Sequence, residues 1–126
     1  MRPTTLAEVA RQTLSGDSFD RCLANFLDEF YAFPVSSLLE EMPPSLAPTA
    51  GKLGRVQDAY VAAVAEELAN RFRLPVPSWT STSTRALHEP WFASPLPSLR
   101  AVLILESPPA FRARNLFVSE NALSRA

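Results

Sequence analysis

Apolar positions in the first half of the chain recur every three or four residues, the spacing of helices packed on one side. Leu6, Val9, Ala10, Thr13 and Leu14 form one such stripe. Thr4 or Thr5 is placed to cap this helix and Gly16 to end it. Asp17 or Ser18 then caps a second helix, whose stripe runs through Phe19, Cys22, Leu23, Phe26, Leu27 and Phe30 and extends to Phe33. Its other face holds Asp20, Arg21, Asn25, Asp28 and Glu29, as a solvated face should. Pro34 stops it, because proline disfavours the helical backbone at the residue before it. Ser37-Leu38-Leu39-Glu40 has the spacing of a capping box and predicts one more turn.

Residues 43–51, PPSLAPTAG, then read as a proline-rich surface connection, long enough to be mobile. Residues 52–73 form the longest pattern, with Leu53, Val56, Tyr60, Val64, Leu68 and Phe72 as the stripe. Twenty-two residues at the standard rise give a helix of about 33 Å. Its alanines add helix propensity and allow a neighbouring helix to come close.

After Pro75 the pattern changes. Residues 75–98 carry five prolines and both tryptophans, which predicts short turns. Ser81 or Ser83 is placed to cap one brief helix, Thr84 to His88. Five apolar residues in a row, 101–105, suit a buried strand or a buried helix; with no good strand nearby to pair, we take the helix. Ser107 is placed to cap a segment that has Pro108 at its first position. Leu116, Phe117 and Val118 extend briefly, and Ser119 caps a last helix to Ala126. The expected fold is all-α: one small helical domain spanning 1–126, with N-terminal helices in 1–42, the connection 43–51, one long central helix, and an irregular, proline-rich segment with short helices over 74–126.

Bulk properties narrow the function classes. The chain has 126 residues, 47% of them apolar, enough for one core without staples. Net charge is −1, so no strong electrostatic footprint calls for nucleic acid or a membrane surface. Residues 1–74 carry seven basic and ten acidic groups, and residues 75–126 carry five and three. Both imbalances are too small to dictate a partner. Cys22 is the one cysteine, which rules out an intrachain disulfide and reads as a buried structural thiol. The N-terminus lacks an apolar stretch of signal-peptide length, and no apolar run approaches the roughly 20 residues of a membrane span. The expectation is a cytoplasmic protein.

Few residues offer chemistry. His88, the one histidine, has Glu89 beside it, but neighbouring residues on a helix point about 100° apart, so Glu89 is poorly placed to orient it. The carboxylate pairs Asp28-Glu29, Glu40-Glu41 and Glu66-Glu67 do not converge on one ion. Three glycines leave no phosphate-cradling loop. No catalytic, metal or cofactor site is therefore assigned. Residues 4–27 faintly resemble a helix-turn-helix, although phenylalanines stand where base-reading residues belong. A cluster of tryptophan, phenylalanine and arginine, the residue types that anchor protein interfaces, remains: Trp79, Trp91, Phe92, Phe111, Arg112, Arg114 and Phe117. Each tryptophan reads either as a plug of the core or as an anchor of an interface.

The words LPVPSW, LHEPWF and LPSLRAVLILESPPAFRARNLFVSENALSRA resemble a group of small bacterial helical proteins. Such proteins are often encoded beside a nucleotidyltransferase-like protein of the abortive-infection type. The resemblance covers residues 53–126, and PWF and AFRARNLFV carry it. Glu89 stands here where that group has a basic residue. The resemblance implies a non-enzymatic, antitoxin-like protein that masks a nucleotidyltransferase-like partner. In that role Arg112 and Arg114 would meet the partner's carboxylates, with Trp91 or Phe117 as apolar anchors. The alternatives are a helix-turn-helix DNA-binding regulator and a small enzyme using His88. A homo-oligomer is left open.

Overall fold

A computed structural model describes residues 2–125. It is mostly helical, in the order α1 (Leu6–Leu14), α2 (Phe19–Ala32), α3 (Ser37–Glu40), α4 (Ala47–Arg71), β1 (Trp91–Phe92), α5 (Arg100–Glu106), α6 (Pro109–Arg112) and β2 (Leu116–Phe117). Short 3-10 turns occupy Ser78–Ser81, Ser83–Arg85 and Pro97–Leu99.

The first two helices follow their stripes. The Thr5 hydroxyl accepts from the Glu8 N–H and the Ser18 hydroxyl from the Arg21 N–H, so each first turn has a cap. Leu6, Val9, Ala10, Phe26 and Phe30 are wholly buried. Both stripes end sooner than expected: Leu14 is exposed, and Phe33 is 69% exposed, because it has already left the helix as its C-terminal cap. Ser37 is the first residue of α3 and makes no cap, so the expected capping box does not form.

The connection 43–51 differs most from expectation. It is folded against α4 rather than loose. Pro43 and Leu46 are buried, and a first helical turn begins at Ala47. Gly51 breaks the helix at φ 60°, ψ −127°, after which α4 continues. The carboxylate of Asp58, buried on α4, accepts from the Ser45 hydroxyl (2.8 Å) and from the N–H groups of Leu46 (2.7 Å) and Ala47 (3.2 Å). Arg85 closes the same node, donating to the carbonyls of Pro43 (2.6 Å) and Asp58 (3.3 Å). Gly54 makes the approach sterically possible, since a Cβ there would lie 2.4 Å from the Leu46 carbonyl oxygen.

Helix α4 ends at Arg71 rather than at 73. Arg73 is left-handed (φ 56°), and the Leu74 N–H returns to the Ala69 carbonyl at 2.8 Å. This is a Schellman closure with arginine in the usual glycine place.

The C-terminal half holds a parallel pair that the all-α reading lacks: Trp91 opposes Leu116 and Phe92 opposes Phe117. The brief helix Thr84–His88 is instead the 3-10 turn Ser83–Arg85. Residues 101–105 are helical, as expected, but of α5 only Leu103 is buried. Ser107 does not cap α6, whose preceding residue is Pro108. Its hydroxyl donates to the Leu116 carbonyl (2.8 Å) and accepts from the Val118 N–H, latching β2. The last expected helix is a set of turns over 120–123. There the Leu123 carbonyl is held by the Tyr31 hydroxyl (2.7 Å), and Ala126 lies outside the described residues. One continuous core joins both halves, from Leu6 to Leu123.

Two predictions follow from this packing. Alanine in place of a helix-interior glycine ordinarily stabilises by about 1 kcal/mol. At Gly54 the clash with backbone outweighs that gain, so Gly54→Ala should lose about 1–3 kcal/mol in urea unfolding. The second concerns the termini. Arg125 and Arg2 both bond to Asp28 on α2, and they hold its carboxyl below the ordinary value of 3.8. A depressed carboxyl contributes stability above its unfolded value and loses it as pH falls through the folded one. Asp28→Asn should therefore flatten the loss of stability below pH 3.8, as read by urea midpoints in an acid series.

Candidate functional site

The structure divides the seven residues singled out in the sequence. Trp79, Phe111 and Arg114 lie in the interior, where no partner can reach them. Trp79 is a plug of the core: its indole N–H donates to the Leu39 carbonyl at 3.0 Å, and Arg85 sits 5.2 Å from its ring centre. Phe111 is wholly buried and meets Tyr60 edge-on at 5.0 Å. The guanidinium of Arg114 is buried and bonded within the protein. It donates to Glu66 (2.7 Å), the Ala110 carbonyl (2.8 Å) and the Thr80 carbonyl (2.9 Å). It fastens α4, α6 and the turn Ser78–Ser81 together.

The other four stay at the surface. Arg112 is exposed, and Trp91, Phe92 and Phe117 are half-buried. Phe92 and Phe117 stack across the strand pair at 5.1 Å, with the Arg100 guanidinium 5.1 Å from the Phe92 ring centre. Asn115 makes this corner. It takes the left-handed backbone that asparagine tolerates (φ 62°), and its amide donates to the Leu87 carbonyl at 2.8 Å. The Trp91 N–H then reaches the Asn115 carbonyl at 2.8 Å, which sets the register of β1.

Trp91 faces an open groove of about 600 Å³. Its walls are mostly apolar: Phe19 from α2, Leu53, Val56 and Tyr60 from α4, and Val118 after β2. Asp20, Gln57 and Ser119 form polar points in the lining. Phe19 and Tyr60 stand perpendicular at 6.1 Å, so the aromatic walls meet as a corner. Burial, with Asp20 adding to it, pushes the Tyr60 hydroxyl up to about 12. Leu53, expected in the core, is 60% exposed on the groove's rim. Sequence reasoning placed Phe19, Leu53, Val56 and Tyr60 on helical stripes and left Trp91 open between core and interface, so it did not mark a groove between them.

His88 and Glu89 are exposed, and neither lines this groove or a second cavity of about 610 Å³ beside Arg11, Glu41 and Pro43. Cys22 is buried, its thiol donates to the Gln12 amide oxygen, and burial raises it above its ordinary value. A raised thiol is a poor nucleophile. Among the described residues no three His, Cys, Asp or Glu side chains gather to hold a metal ion, and no helix is long and apolar enough to cross a membrane. Compared with protein-family models, curated proteins and solved structures, the chain matches none.

Burial also raises the Tyr31 hydroxyl, so neither tyrosine of the folded protein should ionise at the ordinary value of 10. Absorbance at the phenolate band should rise later than in the unfolded chain, and the Tyr60 share of it only towards about 12. A full two-tyrosine step at pH 10 in folded protein contradicts the burial of the two hydroxyls.

Proposed function

We propose that the protein is non-enzymatic and works by binding another protein. The observation behind this reading is the open apolar groove walled by Phe19, Tyr60 and Trp91. Aromatic walls around an open recess give a partner's apolar side chain a desolvated seat, which is how interface anchors gain their energy. Asp20, Gln57 and Ser119 supply the polar points that fix orientation.

The partner class follows from the resemblance of the C-terminal half: a nucleotidyltransferase-like protein, masked in the manner of an antitoxin. Of the two arginines suggested for its carboxylates, Arg114 is committed to Glu66, so Arg112 takes the role. Trp91 is the central anchor, and the stacked Phe92 and Phe117 lie beside the groove rather than in its lining.

The two other readings lack comparable support. Helix α2 turns its phenylalanines inward and carries Asp20, Asp28 and Glu29 on its outer side, where phosphates would be repelled. His88 sits outside both cavities, with no wall to exclude water from a reaction.

The test is co-expression with a nucleotidyltransferase-like protein encoded beside this one, then size exclusion at micromolar concentration. We expect one co-eluting species. Trp91→Ala should weaken the complex by roughly thirtyfold, the size of a hot-spot loss of about 2 kcal/mol. Two separate peaks at micromolar concentration sink the proposal.

A further inference from the structure

The groove is apolar in its walls and negative at one point. Asp20 is the only charged residue in its lining. It is exposed, and among the described residues its carboxylate makes no hydrogen bond or ion pair. Asp28, Asp58, Glu41, Glu66 and Glu67 each meet an arginine of this chain. No basic side chain lines the groove to answer Asp20. Leu53, Val56, Gln57 and Tyr60 mark the groove side of α4. At 100° per residue, Arg55 points about 150° from that side and Lys52 about 90°. On α2, Arg21 lies about 150° from the side that carries Phe19 and Asp20.

Three rings share the recess with that charge. Phe19 and Tyr60 stand at right angles, 6.1 Å between centres, as two adjacent walls of a box do. Phe111, wholly buried, backs Tyr60 at 5.0 Å and fixes that wall. Trp91 lines the same recess but makes no ring contact among the described residues, so it stands apart as a third wall. Behind burial, the Asp20 charge is the second cause that raises the Tyr60 hydroxyl, so carboxylate and ring act on the same space.

Aromatic faces attract a cation, and a carboxylate beside them adds to the attraction. A purely apolar occupant would desolvate Asp20 and leave it unpaired, which costs free energy. An apolar stem that ends in a cation satisfies both parts of the groove. A quaternary ammonium has no N–H to give the carboxylate. A lysine ammonium is compact and strongly hydrated, a poor match for apolar walls. A guanidinium is planar, weakly hydrated, stacks on rings and forks onto a carboxylate.

We propose that the groove seats an arginine side chain of the partner, its stem against the apolar walls and its guanidinium among the rings and forked onto Asp20. The Gln57 side chain and the Ser119 hydroxyl are in the lining to accept its remaining N–H groups. This rests on the reading that the groove binds a partner, and it names the residue that enters.

The probe is N-acetyl-arginine methylamide, titrated into the full chain at fixed ionic strength and followed by NMR. The Trp91 indole N–H and the amides of Phe19 and Asp20 should shift together, with a Kd of about 1–10 mM. The Trp79 indole, bonded to the Leu39 carbonyl, should stay still. The neutral citrulline analogue, of nearly the same shape, should bind about tenfold more weakly. The lysine analogue and tetramethylammonium should bind about threefold more weakly or worse. Asp20→Asn should weaken the arginine probe about fivefold with an unchanged circular dichroism spectrum. Trp91→Phe should keep more of the binding than Trp91→Ala.

No saturating shift at the groove overturns the proposal. So does a citrulline, lysine or tetramethylammonium probe that binds as tightly as arginine, an Asp20→Asn protein that binds like the parent, or a Trp91→Phe protein no better than Trp91→Ala. The probe needs no partner, so the two readings fail separately. A chain that binds the probe on these terms but elutes alone after co-expression sinks the partner reading and leaves the arginine seat. A complex that forms equally well with Asp20→Asn sinks the arginine seat and leaves the partner reading.

Discussion

The fold hangs on Asp58 and Arg85, two charged side chains buried beside one another. Asp58 accepts three hydrogen bonds from residues 45–47, and Arg85 spends its donors on the carbonyls of Pro43 and Asp58. Their direct ion pair is long, 3.8 Å, so the carbonyls and amides around them carry more of the interaction than the charge pair does. Burial pulls the Arg85 guanidinium below its ordinary value, and nearby Asp58 opposes that. Such a pair contributes modest net stability, because desolvation offsets its attraction, but neither member tolerates loss of the other. What it supplies is position. The segment before α4, the helix itself and the turns 78–85 are held in one arrangement, with Trp79 clamped between Arg85 and the Leu39 carbonyl.

Later positions follow from that arrangement. With the turn Ser78–Ser81 in place, the Thr80 carbonyl meets Arg114, which also holds Glu66 on α4 and closes the end of α6. Asn115 can then turn left-handed, β2 runs beside β1, and Trp91 is set on the groove. The path from Asp58 to Trp91 passes through two buried arginines, which donate to carbonyls and, from Arg114, to the Glu66 carboxylate.

Helices α1 and α2 were legible because each buries one stripe, which leaves a period in the sequence, and α4 because of its length and alanines, although its middle, 61–65, is buried all round. The rest left no period. A strand pair of two residues each is too short to alternate, and its register is set by Asn115, Leu87 and Ser107 from elsewhere in the chain. Arg85 and Arg114 look like surface residues until their acceptors are known. The segment 43–51 looked loose because it is rich in proline. Its anchors lay outside it, in a glycine and an aspartate inside a helix, where neither is favoured for its own sake. The site was half legible. Aromatic and cationic residues were found, but composition alone could not separate Trp91 at the groove from Trp79 in the core.

The words PWF and AFRARNLFV now have a physical reading. Phe111, Arg114, Asn115, Leu116 and Val118 build the corner, and Trp91, Phe92 and Phe117 are its outward edge. Most of what carries the resemblance is therefore architecture, and the proposed binding surface is its by-product. The strand pair also joins two outward-facing apolar surfaces. Helix α5 packs on β2, with Arg100 over Phe92, while Trp91 and the residue after β2, Val118, line the groove. A pair of strands latched at Ser107 and Asn115 is short and stiff, so the two surfaces keep a fixed relation. A protein that exposes one apolar surface can hide it by folding differently. Here the strand pair is tied to the core through Ser107, Arg114 and Asn115, and the C-terminal half is built on those bonds.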